Sequence, residues 1–272
     1  MKRTFILSLI AVAFILLLIG VAFSLSIFEE NPKPVVQDNS FKTREFSVNG
    51  VSFKMVAVEG GTFQMGSDDG EDDEKPVHSV TLSSYYIGET EVTQALWEAV
   101  MGCNPSYFKG KENPVEKVSY NECIDFINEL NIMLEDELPQ GRKFRLPTEA
   151  EWEFAARGGN RSRGYQYSGN DTLSNVAWYD GNSNHTTHPV KQKQANELGL
   201  YDMSGNVLEW CYDWKGNYSS SSQTNPKGPS TGSYRVLRGG CWSFSAQICR
   251  VTIRYINSPD SRINNIGLRL AL

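Results

Sequence analysis

The chain has 272 residues, of which 40% are hydrophobic, and its 26 Lys and Arg against 32 Asp and Glu give a formal net charge of −6. That balance offers no basic patch and argues against nucleic acid as a partner, while the hydrophobic content is ordinary for a globular protein.

Lys2 and Arg3 precede an uncharged run from Thr4 through Phe28. About 20 helical residues cross a bilayer core, more than a secretory h-region normally holds. Residues 1–28 therefore read first as a membrane anchor, an N-terminal hydrophobic helix; Ala22-Phe23-Ser24 leaves a cleaved signal peptide as the other reading. Positive charge before the run and Glu29-Glu30 after it place the remainder outside the cytoplasm, anchored or, after cleavage, secreted. Residues 29–44 mix Pro, Asn, Asp and Lys without periodicity, as a tether does, and residues 45–272 read as one large domain.

Phe46 to Val58 and Ser79 to Ile87 are strand-like, and the acidic run from Ser67 to Glu74 reads as a solvated turn with no chemistry. Three helices follow with legible starts: Thr93 before Leu96, Trp97, Val100 and Met101; the capping box Ser119–Glu122 before Cys123, Phe126, Ile127 and Leu130; and the capping box Thr148–Glu151 before Trp152, Ala155 and Ala156. Their aromatics are expected in the core. From Gly159 to Asn196 the chain is polar and irregular, and its His185 and His188 read as exposed, since no third metal ligand has suitable spacing. Asp202 and Glu209 flank the turn formers Ser204-Gly205-Asn206, so carboxylates and turn carbonyls could converge on a hard cation, or simply cap an Asx-type turn.

The last stretch, Arg235 to Leu272, alternates Arg and Gly (Arg238, Gly239, Gly240, Arg250, Arg254, Arg262, Gly267, Arg269) with an assortment of Cys, Phe, Ser, Ile, Thr and Tyr. It has neither a helical nor a strand period, which predicts an irregular surface.

Gly61–Gly66, Pro76-Val-His78, Gly88–Thr93, Pro114–Ser119, Arg145–Trp152, Gly199–Trp210, Arg235–Trp242 and Gly267-Leu-Arg269 occur in one order. In these motifs the chain resembles the formylglycine-generating enzyme, or sulfatase-modifying factor, family. The resemblance implies a mixed α/β (α+β) domain, the formylglycine-generating-enzyme type of C-type lectin fold, with much irregular backbone held by calcium. Carried over by position, one calcium site falls on Asp202, the carbonyls of Gly205 and Val207, and Glu209, and a second begins at Asn175 and Val176. The family's aerobic enzymes oxidise a substrate cysteine to formylglycine with two copper-binding cysteines five positions apart. The second falls on Cys249, which would be the catalytic residue of an oxidase, but the first falls on Phe244, which cannot ligate copper. Copper is therefore not expected.

The same resemblance brings the motifs around Cys211 and Cys249 together and makes these two candidate disulfide partners; five reduced, mostly buried thiols are the alternative. The C-terminal segment also resembles the variable region of a retroelement-diversified branch. On that likeness Cys241, Ser243, Phe244, Ser245, Ile248, Thr252, Ile253, Tyr255, Ile256, Ser258, Ser261 and Ile263 are candidate ligand contacts. The expected function is a non-catalytic, membrane-anchored binding or display protein for a protein or cell-surface ligand. The alternatives are a formylglycine-generating oxidase and an envelope accessory protein with one fixed partner.

Overall fold

Asn49 and Gly50, both with positive φ, turn the first strand back on itself, so that β1 (Thr43–Val48) pairs antiparallel with β2 (Val51–Val58). Asn-Gly suits a two-residue hairpin because both positions need left-handed backbone. The single strand-like stretch read at 46–58 is therefore a hairpin, and the folded domain takes in Thr43 and Arg44, two residues of the expected tether. The computed structural model describes residues 43–272, and the anchor at 1–28 and the rest of the tether lie outside the described residues. Among the described residues no helix is long and apolar enough to cross a membrane.

The fold is mixed α/β, with three small sheets among the described residues. β5 (Tyr85–Gly88) joins the far side of β2. β3 (Gly61–Met65), β4 (His78–Leu82) and β7 (Gln223–Thr224) form a second sheet. The third has the order β10 (Ile266–Gly267), β6 (Leu208–Trp214), β8 (Arg235–Arg238), β9 (Tyr255–Asn257).

The helices start where their caps predict. Thr93 accepts from Leu96 N–H to open α1 (Gln94–Met101), and left-handed Gly102 ends it. Complete capping boxes open α2 (Tyr120–Met133) at Ser119 and α3 (Glu149–Ala156) at Thr148. The expected aromatics are core: Trp97 stacks on Phe126 at 4.9 Å between ring centroids, and Trp152 is fully buried. A short helical turn, α4 (Leu173–Val176), interrupts the irregular stretch. That stretch is organised by side chains with several partners, such as Asn196, whose amide donates to the Ala155 carbonyl (2.8 Å) and Ser168 Oγ (3.0 Å). Buried backbone needs such partners wherever no ladder supplies them.

Both ends of the C-terminal segment are pinned. β8 lies inside the third sheet, while the last residues run along β5, with Gly88 N–H to Leu270 O at 2.8 Å and Leu272 N–H to Tyr86 O at 2.9 Å.

Candidate functional site

Between those pinned ends the backbone is irregular, and arginines hold it. Arg254 binds Glu149 through Nε and Nη2, both at 2.7 Å, and its Nη1 donates to the carbonyls of Asp73 (2.8 Å) and Gly216 (3.1 Å). Arg238, fully buried, pairs with Glu153 and donates to the carbonyls of Thr252 and Ile253. Arg250 reaches Glu74 at 2.7 Å, and Arg269 reaches Glu209 at 2.7 Å. Burial alone would raise the Glu149 carboxyl, but Arg254 and then Arg238 hold it below its ordinary value. The carboxylate partners are what the sequence reading missed. Glu149 and Glu153 stand four apart on α3, on either side of the capping glutamate, and Glu74 ends the acidic run read as a solvated turn. That reading is corrected: Glu74 is fully buried, and Asp73 pairs with Lys215.

The twelve candidate contact residues divide by depth. Tyr255, Ile256 and Ile263 are exposed at 41%, 37% and 40%, Ser245 is exposed, and Ser243, Phe244, Ile248, Ser258 and Ser261 are half-buried. Phe244 and Tyr255 pack ring to ring at 5.3 Å, so the structure does gather an aromatic surface from residues eleven apart. Cys241, Thr252 and Ile253 are buried and do not belong to that surface. Cys241 Sγ lies 3.3 Å from Ser243 Oγ and accepts from Asn265 Nδ2 at 3.4 Å, Thr252 Oγ1 accepts from Arg250 at 2.9 Å, and Ile253 is 4% exposed.

Cys249 is buried beneath the glycine pair. A Cβ on Gly240 would fall 2.6 Å from its Sγ, and Gly240 also needs a φ of +75°. Burial, with Cys241 nearby, pushes the Cys249 thiol up to about 12, which keeps it protonated and a poor nucleophile at neutral pH. The five cysteines are all free thiols. The Cys211–Cys249 pairing is corrected: Cys211 sits in the cluster around Trp152, and Cys249 in a separate one with Tyr167, Leu173 and Val176. The alternative of reduced, mostly buried thiols describes the structure, with Cys103 the exposed one.

At the calcium candidate, Asp202 is in the left-handed region (φ 57°), and its Oδ2 accepts from Lys191 N–H at 2.8 Å, while its Oδ1 is buried without a partner among the described residues. Glu209 is otherwise committed: its oxygens accept from Arg269 at 2.7 to 3.0 Å and from Trp152 Nε1 at 2.7 Å. Gly205 donates to Gly239 O (2.7 Å), and Val207 N–H donates to Glu91 Oε1 (3.0 Å). Burial, then the charges of Asp202 and Glu209, push the Glu91 carboxyl well up, and burial pushes Asp202 up to about 6. The bare Asp202 Oδ1 suits a hard cation. Glu209 fits one less well, and among the described residues no three His, Cys, Asp or Glu side chains are grouped to hold a metal ion.

The second calcium candidate is Asn175 and Val176. At Asn175 the carbonyl accepts from Gln194 N–H at 2.9 Å, and Val176 is buried. His188 is not simply exposed: it stacks on Trp178 at 3.8 Å with Nε2 2.6 Å from Ser183 O, whereas His185 stands in solvent near Asp180.

Comparison with known proteins decides the family. The model of the sulfatase-modifying factor enzyme 1-like domain matches residues 42–272. The chain belongs to that family. The formylglycine-generating enzyme of Streptomyces coelicolor is 32% identical to this sulfatase-modifying factor-like chain, over 79% of it and 88% of the relative. The chaperone protein LppX of Paenibacillus barcinonensis is 36% identical over 74% of this chain and 83% of its own. Serine/threonine-protein kinase pkn1 of Chlamydia caviae is 34% identical over 80% of this chain, but the match spans 38% of that protein, so its name says nothing of activity here. Among solved structures, Treponema denticola variable protein 1 superposes with a TM-score of 0.78 at 38% identity, covering 85% of this chain and 99% of its own. PvdO from Pseudomonas aeruginosa gives 0.70 at 25% identity, covering 84% and 97%.

Proposed function

We propose that this family member is a non-catalytic, extracytoplasmic binding protein, anchored by residues 1–28, that presents the surface around Phe244, Tyr255, Ile256 and Ile263 to a protein or cell-surface ligand. The observation that carries this reading is Phe244 itself. Where the family's oxidases place a copper-binding cysteine, an aromatic ring packs on exposed Tyr255, and the remaining thiol, Cys249, is buried and protonated. Two thiolates are what soft Cu(I) requires; the first family position is a phenyl ring, and Cys241, the thiol near Cys249, is itself buried and pushed up by burial.

Exposed apolar side chains on a rigid frame are the usual material of recognition surfaces. Here the frame consists of arginine–carboxylate pairs, so the exposed side chains between them can vary without loss of the core. Similarity to Treponema denticola variable protein 1 supports variation on the formylglycine-generating-enzyme type of C-type lectin fold, and the exposed positions of residues 235–272 are where it would fall. Calcium on Asp202 and the carbonyls of Gly205 and Val207 would stiffen the neighbouring turn; it would supply charge and coordination, and no chemistry.

The test is a peptide bearing Cys-x-Pro-x-Arg, incubated with the purified protein and copper and then weighed by mass spectrometry. An unchanged cysteine is expected. Conversion to the aldehyde would restore the oxidase reading and remove this one. Sequencing codons 235–272 across a growing population checks the diversification: changes confined to the exposed and half-buried candidates support it, and a uniform segment with no near-copy in the adjoining DNA removes it.

A further inference from the structure

Away from the Phe244 surface, a cleft of about 500 Å³ opens beside the start of α3, and from the C-terminal segment only the anchoring Arg254 borders it. A cavity of that size accommodates a small organic ligand. On its wall is Asp213, 4% exposed, in the part of β6 where pairing with β8 slips between Trp210 and Trp214. Asp213 Oδ2 accepts from Glu149 N–H at 2.8 Å, satisfying a backbone donor at the helix start. Its Oδ1 makes no hydrogen bond or ion pair among the described residues, and Asp213 lines the cleft. Gly228 passes close to it: a Cβ there would stand 3.0 Å from both Asp213 Cβ and the Trp214 carbonyl oxygen and 3.1 Å from Oδ1, so this wall of the cleft accepts only a glycine.

The charges around this point are specific. Glu149 is neutralised by Arg254 and Arg238, and Arg254 spends its nitrogens on Glu149 and two carbonyls. Glu151 pairs with Arg145, and Lys215 with Asp73. His78, Tyr218 and Lys227 complete the ionisable groups on the walls, and no ion pair to Asp213 is formed among the described residues. A buried carboxylate without a cation is costly, and a ligand that brings one is favoured. With a single oxygen free, Asp213 matches a point-charge donor; a guanidinium would need both oxygens for its fork.

We propose that this cleft is a second binding site, which takes a protonated primary amine with its ammonium group on Asp213 Oδ1. The amine arrives either as a small free molecule or as the end of a lysine side chain, and the shared chemistry is the ammonium. Burial and the Glu149 charge push the empty Asp213 carboxyl up to about 7, so an ammonium at this point lowers it.

The experiment titrates the full-length chain in detergent, above neutral pH, with n-butylamine, Nα-acetyl-lysine methylamide, its neutral Nε-acetyl derivative and butylguanidine, followed by amide NMR shifts. Saturable binding of the two ammonium probes is expected, with shifts at Asp213, Glu149 and Gly228, and none by the Nε-acetyl derivative. Asp213→Asn keeps the acceptor for Glu149 N–H and should weaken binding by about tenfold or more. Tighter binding of the lysine derivative identifies a peptide lysine as the source, and tighter butylamine a free amine. Equal binding in a folded Asp213→Asn protein, or no saturable binding of either ammonium, overturns the proposal. Should that variant not fold, the wild-type carboxyl decides through its ¹³C titration. A midpoint for Asp213 that falls with butylamine supports the site, and an unmoved midpoint overturns it.

Discussion

Arg254 and Glu149 meet in a two-pronged ion pair, Nε to Oε1 and Nη2 to Oε2 at 2.7 Å each, which ties the C-terminal segment to the first turn of α3. Both side chains are almost fully out of solvent, and Arg238 lies 3.7 Å from the same carboxylate. Removing one partner of a buried pair leaves an uncompensated charge, so Glu149→Gln should cost about 3 to 5 kcal/mol in urea unfolding. Arg262 and Glu122 form a pair at 2.8 Å that is largely exposed, and Arg262→Ala should cost no more than about 1 kcal/mol. Similar small losses in both variants would show that the buried arginines are not what holds the segment.

Asp202 and Glu209, equivalent in the motif, should separate in a calcium experiment. Glu209 neutralises Arg269 and accepts from Trp152, so Glu209→Gln should lower the melting temperature as much in chelator as in calcium. Asp202 has an oxygen with nothing on it, so Asp202→Asn should lower the melting temperature in calcium and change it little in chelator. An equal shift of Asp202→Asn in the two buffers places the cation elsewhere.

The helices were legible because their signals are local. Thr93, Ser119 and Thr148 each announce a start within four residues, and each caps in the structure. The hairpin signal at Asn49-Gly50 is equally local, but it is masked by flanking residues that read as one strand. The ion-pair frame was not legible. Arg250 and Glu74 are 176 residues apart and Arg254 and Glu149 are 105 apart, and nothing in the spacing of an acidic run says which carboxylate turns inward. Thr252 and Ile253, candidates for the surface, lie deep for the same reason, since Arg238 draws their carbonyls into the interior. Without a repeating period, depth along the segment follows from those long-range contacts.

Asp213 and Glu149 should give stability opposite pH dependences. Burial and Glu149 raise the Asp213 carboxyl from an ordinary 3.8 to about 7, so its contribution is complete below the ordinary value and is lost as pH rises through about 7. Glu149 is held below its ordinary value against the effect of burial, so its contribution is present above that value and is lost on acidification. Stability should therefore peak at mildly acidic pH. Asp213→Asn should remove the decline on the neutral side, making the variant more stable than wild type above neutrality by on the order of a few kcal/mol. Urea unfolding across the pH range checks this, and parallel curves for the two proteins would mean that Asp213 titrates normally.

Ile253 and Tyr255 stand two apart in the segment and should behave as residues of different kinds. Ile253 is 4% exposed, so Ile253→Ala opens a cavity and should cost about 2 to 5 kcal/mol. Tyr255 is 41% exposed on the edge strand β9 and touches Phe244 on one side, and Tyr255→Ala should cost no more than about 1 kcal/mol. Ile256→Ala, at 37% exposure, should resemble Tyr255→Ala. Denaturant midpoints of the three variants read the difference directly. A low cost at 255 and 256 with a high cost at 253 means that variation can be tolerated on the outer positions, as a ligand surface requires. A high cost at Tyr255 would make its ring part of the core, and the recognition surface would then have to be built from Ser245, Ile256 and Ile263 without its aromatic centre.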